Sequence, residues 1–207
     1  SEDMSPLLFD ADRDGDADLI VVSGGVESKA EELKDRLYLN DGNGEYEHAP
    51  DGTLPDLMVS GSVASAADFD RDGDLDIFVG GRLRPGKYPT GPKSTLLLNE
   101  TVKGEKVLFS DVTKQICPGI ENCGMVTSAL WSDANGDGWV DLLLSIEWGP
   151  VRIFINNEGK LEETTQSSGL QEYLGWWNGL AGRDLDGDGD IDYVATNFGL
   201  NTKYHQS

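Results

Sequence analysis

Asp68-Phe69-Asp70-Arg71-Asp72-Gly73-Asp74-Leu75-Asp76 reads D-x-D-x-D-G-D-x-D and runs directly into the apolar stretch Ile77-Phe78-Val79. The same nonamer occurs at Asp10–Asp18, Asp133–Asp141 and Asp184–Asp192, four copies in 207 residues. A motif repeated at this interval sets the architecture before any single residue is weighed. Carboxylates at positions 1, 3 and 5 converge on one ion only if the backbone curls around it. Glycine at position 6 permits the turn, position 7 offers its carbonyl, and the position-9 carboxylate closes the shell. Such an oxygen-only set, flexible and numerous, suits Ca²⁺ better than the tight octahedron of Mg²⁺.

The expected ligands are Asp10, Asp12, Asp14, Asp16 and Asp18 in the first loop, and Asp68, Asp70, Asp72, Asp74 and Asp76 in the second. The third supplies Asp133, Asn135, Asp137, Trp139 (through its carbonyl) and Asp141; the fourth, Asp184, Asp186, Asp188, Asp190 and Asp192. About four calcium ions are expected. An EF-hand shares this opening but needs a bidentate Glu at position 12 and a helix after it. Position 12 here is Val21, Val79, Leu144 and Ala195, so that reading fails in every copy.

Each loop runs into a strand-like segment: Leu19–Val22, Ile77–Val79, Leu142–Ile146 and Ile191–Val194. A strand rich in small residues precedes each loop: Pro6–Phe9, Val63–Ala67, Val126–Trp131 and Trp177–Ala181. Third strands are expected at Arg36–Asn40, Ser94–Asn99 and Val151–Asn156, and short fourth strands at Glu45–Glu47, Val107–Asp111 and Lys160–Glu163. Asn40-Asp41-Gly42-Asn43-Gly44 is a strong hairpin turn between two of them. Intervals between Asp10, Asp68, Asp133 and Asp184 are 58, 65 and 51 residues, the size of a four-stranded propeller blade. The fold class is therefore all-β, a partial β-propeller of antiparallel blades at about 5–50, 60–113 and 124–165, with a half-blade at about 175–207. Glu27–Asp35 is the one helix expected.

The loops, strand pattern and flanking segments Gly80-Gly81-Arg82, Pro85–Pro89, Gly124–Thr127, Glu147-Trp148, Gly175–Asn178 and Asn197–Asn201 resemble the FG-GAP, or VCBS, repeat family. Its best-known members are the integrin α-subunit propellers. The closer resemblance is to bacterial secreted proteins carrying these repeats beside an ASPIC/UnbV domain, a segment not recognisable here. Asn135 is the single departure from Asp in the family's calcium motif. The resemblance implies a calcium-binding propeller that is extracellular, on the cell surface or periplasmic.

Acidic residues number 38 against 16 basic, a formal charge of −22, which argues against nucleic acid as a partner. No apolar run is long enough for a transmembrane helix, and no signal peptide is visible at Ser1, as in a mature or excised segment. Cys117 and Cys123 are expected to form a disulfide across Pro-Gly-Ile-Glu-Asn, two buried free thiols being the alternative. His48 and His205 have no nucleophile partner in a recognisable frame, and no catalytic residue is assigned. Arg183 is expected to brace the carboxylates of the fourth loop.

With the calcium hairpins on one end of a propeller, residues 80–93, 115–125, 146–150 and 171–178 emerge on the other. They bring Arg82, Arg84, Lys87, Tyr88, Glu147, Trp148, Trp176 and Trp177 to one surface, aromatics and charges that suit a sugar or peptide. Wedging of the tryptophans between blades is an equal alternative, and Trp131 and Trp139 read as blade packing. Two functions fit: a calcium-stabilised adhesion or recognition module with a protein or glycan ligand, or part of a secreted polysaccharide-processing protein. A seven-bladed ring would need about 400 residues. The remaining blades are therefore expected from the same protein or from an assembly partner.

Overall fold

The computed structural model describes residues 2–26 and 33–199. The chain is all-β. Three four-stranded antiparallel blades occur in order, the third forming part of a six-stranded sheet: β1 (Glu2–Phe9), β2 (Asp18–Gly24), β3 (Arg36–Asn40) and β4 (Tyr46–His48); β5 (Ser60–Ala67), β6 (Asp76–Leu83), β7 (Thr95–Asn99) and β8 (Phe109–Asp111); and β9 (Met125–Ser132), β10 (Asp141–Gly149), β11 (Arg152–Asn156) and β12 (Leu161–Glu163). A final hairpin of β13 (Gly175–Arg183) and β14 (Asp192–Asn197) pairs with β10 through Glu147↔Trp176 and Gly149↔Gly175. These are propeller blades, and they do not close into a barrel. The helix expected at Glu27–Asp35 falls largely outside the described residues, and Leu33–Asp35 within them are irregular. Two single-turn helices, α1 (Thr113–Ile116) and α2 (Pro118–Glu121), occupy the connection before β9.

The second blade is buried on both faces because strand side chains alternate. In β6, Ile77 and Val79 point into the core shared with the first blade, beside Ile20, Val22 and Leu97. Phe78 points the other way, into the core shared with the third blade, beside Leu96, Leu142, Leu144 and Phe154. The cores thus lie between successive sheets rather than within one.

The first two strands of each blade run further from the loops than the hydrophobic pattern indicates, β6 reaching Leu83 and β10 Gly149. Glycines there read as strand ends, yet they mark close approach of neighbouring blades. A Cβ on Gly61 would lie 2.3 Å from Val22 Cγ1, and one on Gly80 would lie 2.8 Å from Val126 Cγ1.

Successive blades lock at a repeated joint. The loop residue at position 2 sinks into the next blade: Ala11 into the core that includes Ala66, and Phe69 stacked on Trp131 at 6.2 Å and 13°. Its carbonyl accepts a hydrogen bond from the asparagine ending the next blade's third strand, Asn99 Nδ2 to Ala11 at 3.1 Å and Asn156 Nδ2 to Phe69 at 2.7 Å. In the last hairpin the equivalent Leu185 is 64% exposed, and Leu8 on β1 is 61% exposed.

Candidate metal centres

Each loop joins the first two strands of its blade, so the strand pair fixes its two ends. Within the loop, the position-1 carboxylate holds the turn by accepting backbone N–H groups. Gly15 donates to Asp10 Oδ2 at 3.1 Å, Gly73 to Asp68 Oδ2 at 3.2 Å, Gly138 to Asp133 Oδ2 at 2.8 Å and Gly189 to Asp184 Oδ2 at 3.2 Å. Those position-6 glycines have φ of 101°, 93°, 89° and 98°, the left-handed region that disfavours other residues.

Position 9 anchors the loop to the blade. Asp18 accepts from Ala11 N at 2.7 Å and from Asn40 N at 2.8 Å. Asp76 accepts from Phe69 N at 3.3 Å and Asn99 N at 2.9 Å, and Asp141 from Ala134 N and Asn156 N, both at 2.7 Å. Asp192 accepts from Leu185 N at 2.9 Å. In the three full blades, one side chain therefore ties the second strand, the loop start and the end of the third strand.

Positions 1, 3 and 9 converge. Asp10, Asp12 and Asp18, then Asp68, Asp70 and Asp76, then Asp184, Asp186 and Asp192 each bring carboxylate oxygens within 4.8 Å of one another, clusters that can hold a metal ion. The third loop has Asp133, Asn135 and Asp141 at these positions, and Asn135 Nδ2 donates to Asp137 Oδ2 at 2.8 Å. The remaining expected ligands lie outside these clusters. Asp14, Asp72, Asp137 and Asp188 each accept the backbone N–H of position 7, from Asp16, Asp74, Trp139 and Asp190 respectively. The side chain of Asp74 turns away, to 3.6 Å from Arg13 Nη1.

The clusters crowd negative charge out of water. Burial, with the charges of Asp70 and Asp74, pushes Asp76 up to about 8, despite its bonds from Asn99 and Phe69. Burial and the charge of Asp72 push Asp74 up to about 7. Asp12, Asp18, Asp70 and Asp141 are raised as well, burial being the largest cause in each. Asp68 Oδ1 is buried and lacks a hydrogen-bond partner. A cation bound by hard oxygens relieves both the crowding and the orphaned oxygen, so these residues fit Ca²⁺.

The opposite end gathers a second cluster. Glu147 is buried and ion-paired with Arg82, and Tyr88 Oη donates to Glu147 Oε1 at 2.7 Å. Trp148, at φ 63° on a bulge of β10, donates from Nε1 to Tyr88 Oη at 2.7 Å. Its ring lies 5.2 Å from Trp176, which stacks on Phe198 at 4.9 Å. Phe198 is not among the residues expected on this face, although it lies in the segment Asn197–Asn201 that carries part of the family resemblance. Arg84 and Lys87 belong to an exposed turn closed by Lys87 N to Arg84 O at 2.9 Å, and Trp177 Nε1 donates to the Tyr173 carbonyl at 3.2 Å.

Three expectations change. Cys117 and Cys123 are both buried and free, in place of a disulfide; Cys123 Sγ is turned to Ser94 Oγ at 3.4 Å. Arg183 is exposed and forms no ion pair among the described residues, and Arg13 and Arg71 reach the loops instead. Trp139, expected to pack its blade, lies half-buried under the Arg71 guanidinium of the preceding blade's loop. His48 packs edge-on to Tyr38 at 5.4 Å, while His205 lies outside the described residues. No helix among the described residues is long and apolar enough to cross a membrane.

The family model described as FG-GAP-like repeat matches residues 10–79 and 133–195. No curated protein matches the chain.

Proposed function

Because the chain belongs to the FG-GAP-like repeat family, we propose that it is a calcium-stabilised recognition module of an extracellular or periplasmic protein, with a protein or glycan as ligand. The observation that carries the calcium reading is the convergence of positions 1, 3 and 9 in separate loops, with Asp68 Oδ1 buried and unpartnered in one of them. Calcium, when bound, supplies positive charge that offsets the crowded carboxylates. Positions 1, 3, 5 and 9 hold it through side chains, and position 7 through its carbonyl. The third loop takes part through Asn135, whose side-chain oxygen is neutral but an equally hard donor.

The ligand face is the end opposite the loops. Tyr88, Trp148 and Trp176 support it, offering aromatic surface beside the half-buried Arg82 and its buried partner Glu147. Further blades, from the same protein or a partner, cover the β13–β14 hairpin. Its Leu185 is 64% exposed where Ala11 and Phe69 are 0% exposed, which supports that reading. Chelation tests the calcium assignment. A site that binds only the native state contributes about 2.7 kcal/mol at a hundredfold excess of ion over Kd. Excess chelator should lower the melting temperature clearly, and an unchanged melt would refute the assignment.

A further inference from the structure

Position 4 of every loop lies in the left-handed region, with φ of 66° at Arg13, 63° at Arg71, 74° at Gly136 and 81° at Gly187. Glycine adopts that conformation freely and arginine does not. Two loops use the unstrained residue and two use the strained one, so the arginine side chain is retained against a local cost.

Both arginines leave their own loop. Arg13 Nη1 lies 3.6 Å from Asp74 Oδ2 at position 7 of the second loop. The Asp74 side chain is 3% exposed, and its Oδ1 has no hydrogen-bond partner. Arg71 Nη2 donates to the Gly138 carbonyl at position 6 of the third loop, and its guanidinium sits 4.1 Å above the ring of Trp139 at position 7. The receiving side chains differ, one a carboxylate and one an indole, yet both are surfaces that an arginine binds. Gly136 has no side chain, so nothing passes from the third loop to Asp190 of the fourth by this route.

We propose that Arg13 and Arg71 are positioning residues for calcium in the next loop along the chain. Each fixes the segment at positions 6 and 7, whose position-7 carbonyl is turned to the ion under the calcium assignment, on which this inference rests. Loops one, two and three are thereby linked in one direction, and the fourth binds on its own.

A calcium titration followed by NMR at the position-6 glycine amides, Gly15, Gly73, Gly138 and Gly189, reads each loop separately. Arg71→Gly places in the second loop the residue that the third and fourth loops carry at that position, so the fold should survive. It should raise the calcium midpoint at Gly138 about fivefold, the scale of one cation–π or charge-assisted contact. Gly189 should not move, and Gly73 should stay or fall slightly as backbone strain is relieved. Trp139→Ala should shift Gly138 alone, and adding Arg71→Gly to it should bring less than the sum of the two. A weaker Gly73 with an unmoved Gly138, or equal shifts at all four glycines, would overturn the inference and leave the calcium assignment standing. No calcium response at any glycine would overturn both.

Discussion

Phe69→Ala removes a large side chain that crosses from one blade into the next, and the structure sets how much that should cost. Phe69 is 0% exposed and belongs to the core between the second and third blades. Truncating a buried phenylalanine costs about 3–5 kcal/mol, part transfer and part cavity. Phe69 also stacks on Trp131 with centroids 6.2 Å apart. Such pairs add about 0.5–1.5 kcal/mol beyond area. The backbone ties of this joint survive the substitution, since Asn156 reaches the Phe69 carbonyl rather than its ring. The loss should therefore be about 5 kcal/mol, or a fall of about 15 °C in melting temperature for a chain of this size. Urea unfolding at saturating calcium, followed by circular dichroism, measures it as the shift in midpoint multiplied by the slope. Leu185→Ala is the matched control, because Leu185 holds the same loop position but is 64% exposed. It should stay within about 0.5 kcal/mol. A loss below about 1 kcal/mol for Phe69→Ala, or an equal loss for both, would refute the view that this joint welds the blades.

Acidity should act on the ion-free chain in an unusual direction. Asp76 at about 8, Asp74 at about 7 and Asp35 at about 6 all lie above the ordinary carboxylate value of 3.8, burial being the first cause in each. The native state then holds more protons than the unfolded chain between about pH 4 and 8, so stability falls as pH rises through that window. Melts in chelator should drop from pH 5 to pH 8, and greater stability at pH 8 would contradict this. Calcium competes with the proton on Asp76, so adding it at pH 7 should release protons into a weakly buffered solution; a flat pH trace would count against it. Cys117 and Cys123 should resist a thiol reagent in the native protein, burial raising both and Cys123 to about 11. After denaturation both should react, and a denatured chain without reactive thiols would restore the disulfide.

The acidic loops are legible in sequence because their determinants are local. Nine residues contain the turn glycine, the position-1 carboxylate and the carboxylates that gather around it. Position 9 shows only half its role there, since its bond to Asn40, Asn99 or Asn156 crosses to a strand more than a dozen residues on. Strand lengths are harder to read, because glycine at a crowded seam looks the same in sequence as glycine at a strand end, as at Gly61 and Gly80. The cysteines illustrate a different gap. Short separation brings two backbones near one another but does not aim their sulfurs, and Cys123 faces Ser94. Arg183 stands beside a loop in sequence, whereas Arg13 and Arg71 act across one, at distances that no reading of neighbours along the chain reveals.

The joint formed by position 2 also limits how these repeats can be rearranged. Ala11 lies in a core that Ala66 also lines, while Phe69 stacks on Trp131, so small residues stand at one seam where large ones stand at the next. Moving the second blade into the first position would set an alanine pocket against phenylalanine, and the reverse exchange would leave a hole beside tryptophan. The joints also overlap along the chain. One runs from Ala11 to Asn99 and the next from Phe69 to Asn156, so a breakpoint anywhere between Ala11 and Asn156 separates the partners of at least one. A breakpoint between Phe69 and Asn99 separates both. Single blades are therefore not interchangeable parts. Gene duplications or designed chimeras should be tolerated where the position-2 residue and the residue receiving it are exchanged together, small with small and aromatic with aromatic.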